Sequence, residues 1–221
     1  MRKLLLVSMV LLALAGIGAA SAANLVANGG FESPALGISA QYQLGMTTGL
    51  LSWTIENGNI DLMKRYWTPA AELQSIDLTG SQRGTISQVL ATPHSGPYIL
   101  TFKMSGNFGC GAQTFRNVTV YWDGSPTPVG TFSFQKPEFW SRTNMGWTAK
   151  SVLLPAPATA STKLTFVDTT AGTSTCGVAL DDIIVEQQVV AIPEFPALAL
   201  PVGAIIGILG AVFYIRSTRE Q

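Results

Sequence analysis

The chain has 221 residues, thirteen Lys/Arg balanced by thirteen Asp/Glu, and a single histidine. This length suits one domain with additional segments. The zero formal charge, with no basic stripe, leaves nucleic acid without a surface to bind, and one histidine without a Cys-x-x-Cys spacing is poor material for a metal centre.

Arg2 and Lys3 precede an apolar run over residues 4–17 and the small residues "GAASAA". This is the pattern of a secretory signal peptide, residues 1–23, with cleavage after Ala22 or Ala23. The run is short for a membrane helix, so a retained N-terminal anchor is the lesser alternative. Residues 24–187 form the domain. Up to Ile192 this middle carries nine Lys/Arg and eleven Asp/Glu, a formal −2. It is rich in Gly, Ser, Thr and Asn, and β-prone runs recur between turn signals. In "PYILTFKMSG", Tyr98, Leu100, Phe102 and Met104 share one face; in "RNVTVYWDG", Val118, Val120 and Trp122 do so before an Asp-Gly turn. "VGTFSFQ", "KSVLLPA", "TKLTFVD" and "VALDDIIVE" behave alike, and no sustained 3.6-residue period appears. The pattern predicts an all-β sandwich of the jelly-roll kind, with roughly eight to ten strands.

Residues 188–196 form a linker ending in Pro193, Glu194, Phe195 and Pro196. Two prolines keep this stretch stiff, extended and free of helix. Residues 197–215 are uncharged and mostly apolar, long enough to cross a bilayer, and residues 216–221 form a cytoplasmic basic tail holding Arg216 and Arg219. A buried core helix is the weaker reading, since nothing follows to pack around it. The expected location is therefore outside the cell, at its surface and membrane-anchored.

Cys110 and Cys176 both fall in the exported part, where a pair implies one disulfide. Closing a loop of about 65 residues would stabilise by roughly 4 kcal/mol. Two buried free thiols or a metal pair are the alternatives. Asn117-Val118-Thr119 is a glycosylation sequon inside a predicted strand. His94, in "ATPHSGPY", reads as a solvated loop residue without an acid or base partner. Paired carboxylates could cleave a glycan, but no spacing among Glu32, Asp61, Asp77, Asp181 and Asp182 selects a pair. Glu32 and Asp182 would meet if the first and last strands are neighbours, and could then hold calcium, or serve as turn caps. Of the tryptophans, Trp122 reads as core. Tyr66 and Trp67, and Trp140 beside Phe139, lie in irregular stretches and are the candidates for a sugar-stacking surface.

The ordered series "NLVANGGFESP", "LLSWTIENGNIDLM", "LQSIDLTGSQRGTISQVL", "PYILTFKMSGN", Gly146-Trp147 and "CGVALDDIIV" resembles the choice-of-anchor C domain and a related plant cell-wall family of unknown function. The resemblance implies a galactose-binding-like jelly roll, a structural calcium ion held with help from Glu32 and Asp182, the Cys110–Cys176 disulfide, and core positions for Trp53 and Trp147. It also implies polysaccharide as ligand. The tail from Pro193 to Gln221 is similar to the PEF-type sorting signal of archaeal surface proteins, which implies an archaeosortase-type enzyme that removes the span and attaches lipid. The expected function is a non-catalytic surface module that binds envelope or matrix carbohydrate. A structural or adhesive protein with protein partners is the alternative, and a glycan-cleaving enzyme a lesser one.

Overall fold

Period-two alternation dominates the central strands. The computed structural model describes residues 23–93, 95–109, 115–172, 175–188 and 196–219. Eleven strands occur among them: β1 (Tyr42–Met46), β2 (Thr54–Asn57), β3 (Ile60–Met63), β4 (Ser75–Asp77), β5 (Thr85–Ala91), β6 (Tyr98–Gly106), β7 (Phe115–Trp122), β8 (Gly130–Gln135), β9 (Thr148–Leu154), β10 (Ser161–Asp168) and β11 (Val178–Gln187). They form a six-stranded sheet, β1-β3-β4-β11-β6-β9, and a five-stranded sheet, β2-β5-β10-β7-β8. All pairings are antiparallel. The expected all-β jelly-roll sandwich is the observed architecture, with one strand more than the upper expectation.

The inward residues read from the sequence fill the space between the sheets. Tyr98, Leu100, Phe102 and Met104 of β6 are buried, as are Val118, Val120 and Trp122 of β7. Phe102 meets Phe166 of β10 edge-on at 5.4 Å and Phe132 of β8 at 5.1 Å, so aromatic pairs join the sheets. Trp53 lies among them, 5.8 Å from Phe31 and 6.2 Å from Phe166. At the end of β7, Asp123 and Gly124 both have positive φ, 58° and 66°, and Ser125 N–H donates to the Trp122 carbonyl. That is the turn geometry the Asp-Gly pair favours.

The N-terminal segment runs beside the last strand, with Leu25 N–H donating to Val185 O and Ile183 N–H to Gly29 O. The ends of the domain are therefore neighbours, and the unit closes at Gln188. Beyond it, helix α1 (Pro196–Arg219) has Arg216 and Arg219 in its last turn. Side chains in this helix are described at 203 and 205–219. Among the described residues no helix is long and apolar enough to cross a membrane. The span expected over residues 197–215 finds no support in them. The signal peptide, apart from Ala23, and Pro193, Glu194 and Phe195 of the sorting motif lie outside the described residues; Pro196 opens α1.

Candidate functional site: a cleft at the end of the sandwich

Two connections distant in sequence, from β3 to β4 and from β8 to β9, meet to form an open cleft of about 410 Å³. Its walls include Lys64, Arg65, Tyr66, Trp67 and Arg142. Hydrogen bonds pin the two connections together: Thr68 N–H donates to Arg142 O at 2.8 Å, and the Trp147 indole N–H donates to Thr68 O at 3.0 Å. Lys64 and Arg65 N–H both donate to Gln41 O, which ties the first wall to the approach of β1. The cleft is thus held by hydrogen bonds to main-chain carbonyls, three from backbone N–H groups and one from the Trp147 indole.

Tyr66 is half-buried at its centre. The Arg142 guanidinium sits 4.3 Å from its ring centroid, well inside cation–π range. Tyr42 of the edge strand β1 approaches Tyr66 edge-on at 5.7 Å and remains 44% exposed. Chain alternation gave no reason to single out Tyr42, because most of β1 is exposed on both faces. Gly109 packs against this centre, and a Cβ there would stand 2.7 Å from the Tyr66 hydroxyl oxygen.

The two tryptophans expected at the surface are interior residues. Trp67 is 3% exposed; its ring packs with Met63, Met145 and Ala179, and its indole N–H donates to Ser75 Oγ at 2.8 Å. It lines the cleft from inside. Trp140 is 8% exposed, lies against Phe108 and Phe134, and donates to Met145 O at 3.0 Å. Satisfying each indole N–H internally draws the whole ring inward. The reverse holds at Trp147, which the resemblance placed in the core and which is half-buried beside the same small cluster.

The carboxylates serve the interior. Glu32 Oε1 accepts the N–H groups of Leu73 and Gln74, at 2.9 and 2.7 Å. Asp181, fully buried, accepts from Ala70 and Ala71 through Oδ2 and from Asp182 through Oδ1. Burial pushes its carboxyl up to about 7, partly opposed by those backbone donors. Asp182 lies where the β11–β6 register shifts, at a φ of 50°. A Cβ on Gly30 would stand 3.9 Å from Asp181 Oδ1 and 4.0 Å from Glu32 Cγ; Glu32 lies in the N-terminal segment that runs beside β11, not in a strand. As placed, Glu32 Oε1 and both Asp181 carboxylate oxygens face backbone N–H donors. Among the described residues no group of three or more His, Cys, Asp or Glu side chains could hold a metal.

Asp77 accepts from Thr79 N–H at 2.9 Å and from Asn107 Nδ2 at 2.6 Å, and burial holds its carboxyl well above the ordinary range. Asp168 accepts from Thr79 Oγ1, Val178 N–H and Thr170 N–H. Asp61 accepts from Gly45 N–H at 2.7 Å, and its carboxyl is also raised by burial. None of these acids lines the cleft. Asn117 is half-buried in β7; its Oδ1 accepts from Ser133 Oγ, and the sequon hydroxyl of Thr119 is buried against Thr131 and Thr169. Cys176 is buried, and among the described residues no cysteine is free. Cys110 and His94 lie outside the described residues.

Residues 24–186 match the family described as "Protein of unknown function (DUF642)". The chain belongs to the DUF642 family. Halomucin of Haloquadratum walsbyi is 29% identical over 179 residues, which is 78% of this DUF642 chain and 2% of halomucin. The chain therefore spans only a small fraction of that relative. Among solved structures, a cyclase from Fischerella sp. TAU is 14% identical, with 76% of this chain and 96% of that one covered, at a TM-score of 0.52. A carbohydrate-binding module, TmCBM61 in complex with β-1,4-galactotriose, is 13% identical over 75% of this chain and 99% of its own, at 0.48. At such identity the cyclase likeness shows the fold alone, and the weaker score of the module carries no argument.

Proposed function

We propose that this DUF642 chain is an exported, surface-held, non-catalytic module that binds carbohydrate in the cleft around Tyr66. The observation that carries the reading is the Tyr66 ring, presented in a pinned cleft with Arg142 against it and the exposed Tyr42 beside it. Aromatic faces stack on the apolar faces of sugar rings, and a site fixed before binding avoids much ordering cost. The acids that a glycosidase would need are backbone caps in the interior, which supports a binding role over cleavage.

Surface delivery rests on the sequence. Residues 1–23, the Pro193–Pro196 motif, the apolar residues 197–215 and the terminal arginines fit export followed by processing by an archaeosortase-type enzyme, as the resemblance to PEF-type sorting signals implies. The Cys110–Cys176 disulfide belongs to the same exported reading, supported by Cys176 not being free.

A second reading has one observation in its favour. Edge strand β1 exposes Tyr42 and Leu44, and an apolar edge can pair with another protein. A broad glycan array probed with the full chain, beside its Tyr66→Ala variant, separates the two. Binding to glycans that the variant loses supports the module; binding to none of them, with cross-linking on intact cells that captures envelope proteins, supports the adhesive role.

A further inference from the structure

The cleft is cationic in a domain that is not. Of the nine Lys/Arg between residues 24 and 192, three, Lys64, Arg65 and Arg142, line this one cleft, whereas none of the eleven Asp/Glu does. The Lys64 ammonium is held in the wall by the carbonyls of Leu36 and Gly37, at 2.5 and 3.4 Å, which neutralise no charge. Arg65 is exposed, and Arg142 is exposed with its guanidinium carbon 4.3 Å from the centre of the Tyr66 ring. Lys163 pairs with Glu56, on β10 and β2, away from the cleft. Among the described residues neither cleft arginine is committed to a carboxylate.

We infer that the cleft selects acidic polysaccharide, with sugars bearing carboxylate or sulfate groups. This rests on the carbohydrate-binding reading and names its ligand class. Guanidinium groups take planar carboxylates and sulfates in a forked, charge-assisted geometry that neutral hydroxyls do not reproduce. Tyr66 and Tyr42 supply the ring faces, and the arginines the anion contacts. Stacking Arg142 on Tyr66 also holds its planar fork in position before a ligand arrives. A domain of formal −2 that places three cations and no acid around one cleft steers anions towards that cleft.

The test uses the full chain in a non-ionic polyoxyethylene detergent and two matched pairs of polymers, dextran sulfate with dextran and alginate with carboxyl-reduced alginate. Single-stranded DNA is the control for indiscriminate polyanion binding. The expected result is binding to the anionic member of at least one pair, roughly tenfold or more tighter than to its neutral counterpart, weakening as salt rises. Sulfate preference and carboxylate preference are told apart by which pair discriminates. An Arg65→Gln/Arg142→Gln double variant, altered only at exposed side chains, should keep its melting temperature and lose roughly tenfold of that binding. Equal binding within both pairs overturns the inference while leaving carbohydrate binding in place. Anionic binding unchanged in the double variant, or matched by the DNA, also overturns it. Binding to no polymer here and to none on the broad array removes the carbohydrate reading itself.

Discussion

The guanidinium carbon of Arg142 stands 4.3 Å from the centre of the Tyr66 ring, while the Arg142 carbonyl takes the N–H of Thr68 two residues further on. One residue therefore both closes the cleft and presents its aromatic wall. Replacing Tyr66 by Ala should weaken glycan binding roughly tenfold or more, because each stacked ring contributes on the order of 1–2 kcal/mol. Tyr66→Phe keeps the ring and should stay within about twofold on the same argument. Affinity electrophoresis in gels containing the bound glycan checks both. Equal retardation of the Ala variant and the native chain would move the site elsewhere.

Trp140 and Phe139 are adjacent and have opposite fates. The first is buried against Phe108 and Phe134, the second is 79% exposed. Trp140→Ala should destabilise the domain by about 3–5 kcal/mol through lost packing and the cavity left behind. Phe139→Ala should stay within about 0.5 kcal/mol. Urea melts of the two variants make the comparison. Similar midpoints would mean that Trp140 is not the core residue the structure makes it.

That pair shows where sequence reading runs out. Strands β6, β7 and β10 were legible because both sheets bury one face of each, which writes a two-residue period into the sequence. Trp67 and Trp140 lie in connections, where no period says which way a side chain points. Their burial depends on Ser75 Oγ and Met145 O, acceptors that only the folded chain supplies. Tyr42 escaped notice because β1 is an edge strand with little to bury. The cleft itself was illegible for a similar reason: Thr68 and Arg142 become neighbours only through the sheet order. Glu32 Oε1 and both Asp181 oxygens turn to backbone N–H groups, a detail of loop path with no signature in spacing.

Gly177 opens a narrow gap between the two buried aspartates. A Cβ there would come within 2.6 Å of Asp77 Oδ1 and of Thr79 Cβ, and closer still to Asp168 Oδ2. These atoms are fixed by the hydrogen bonds that satisfy the carboxylates, so they cannot yield cheaply. Gly177→Ala should cost about 2–4 kcal/mol, in the range of overpacking combined with disturbed buried polar groups. A thermal melt reads the loss directly. A variant as stable as the native chain would show that this corner relaxes freely.

The sorting reading has its own measurement. If the Pro193–Pro196 motif directs removal of the apolar segment, mass spectrometry of protein recovered from the cell surface should yield domain peptides and none from residues 204–216. Recovery of that segment from mature protein would mean the segment is retained, and the processing enzyme would drop out of the account.

Asp181 makes stability depend on pH in a direction opposite to an ordinary salt-bridged aspartate. Burial lifts its carboxyl from 3.8 to about 7 in the folded domain, and burial raises Asp61 and Asp77 as well. The folded state keeps a proton that the unfolded chain releases near its ordinary value. This contribution to stability is therefore full at low pH and declines as pH rises from about 4 to about 7, by up to ~1.4 kcal/mol per pH unit for Asp181 alone. Above that window both states are ionised and the contribution no longer changes. Asp181→Asn removes the titration; its amide oxygen can still accept from Ala70 and Ala71, while the contact to Asp182 N–H is lost. The variant should be less stable at about pH 4.5 by roughly 1–3 kcal/mol, and its stability should fall less steeply towards about pH 8. Asp61 and Asp77 keep a residual slope of the same sign. Denaturant midpoints at three pH values across the window give the comparison. A native slope that rises with pH, or a variant slope equal to the native one, would show that Asp181 is ionised in the folded domain throughout.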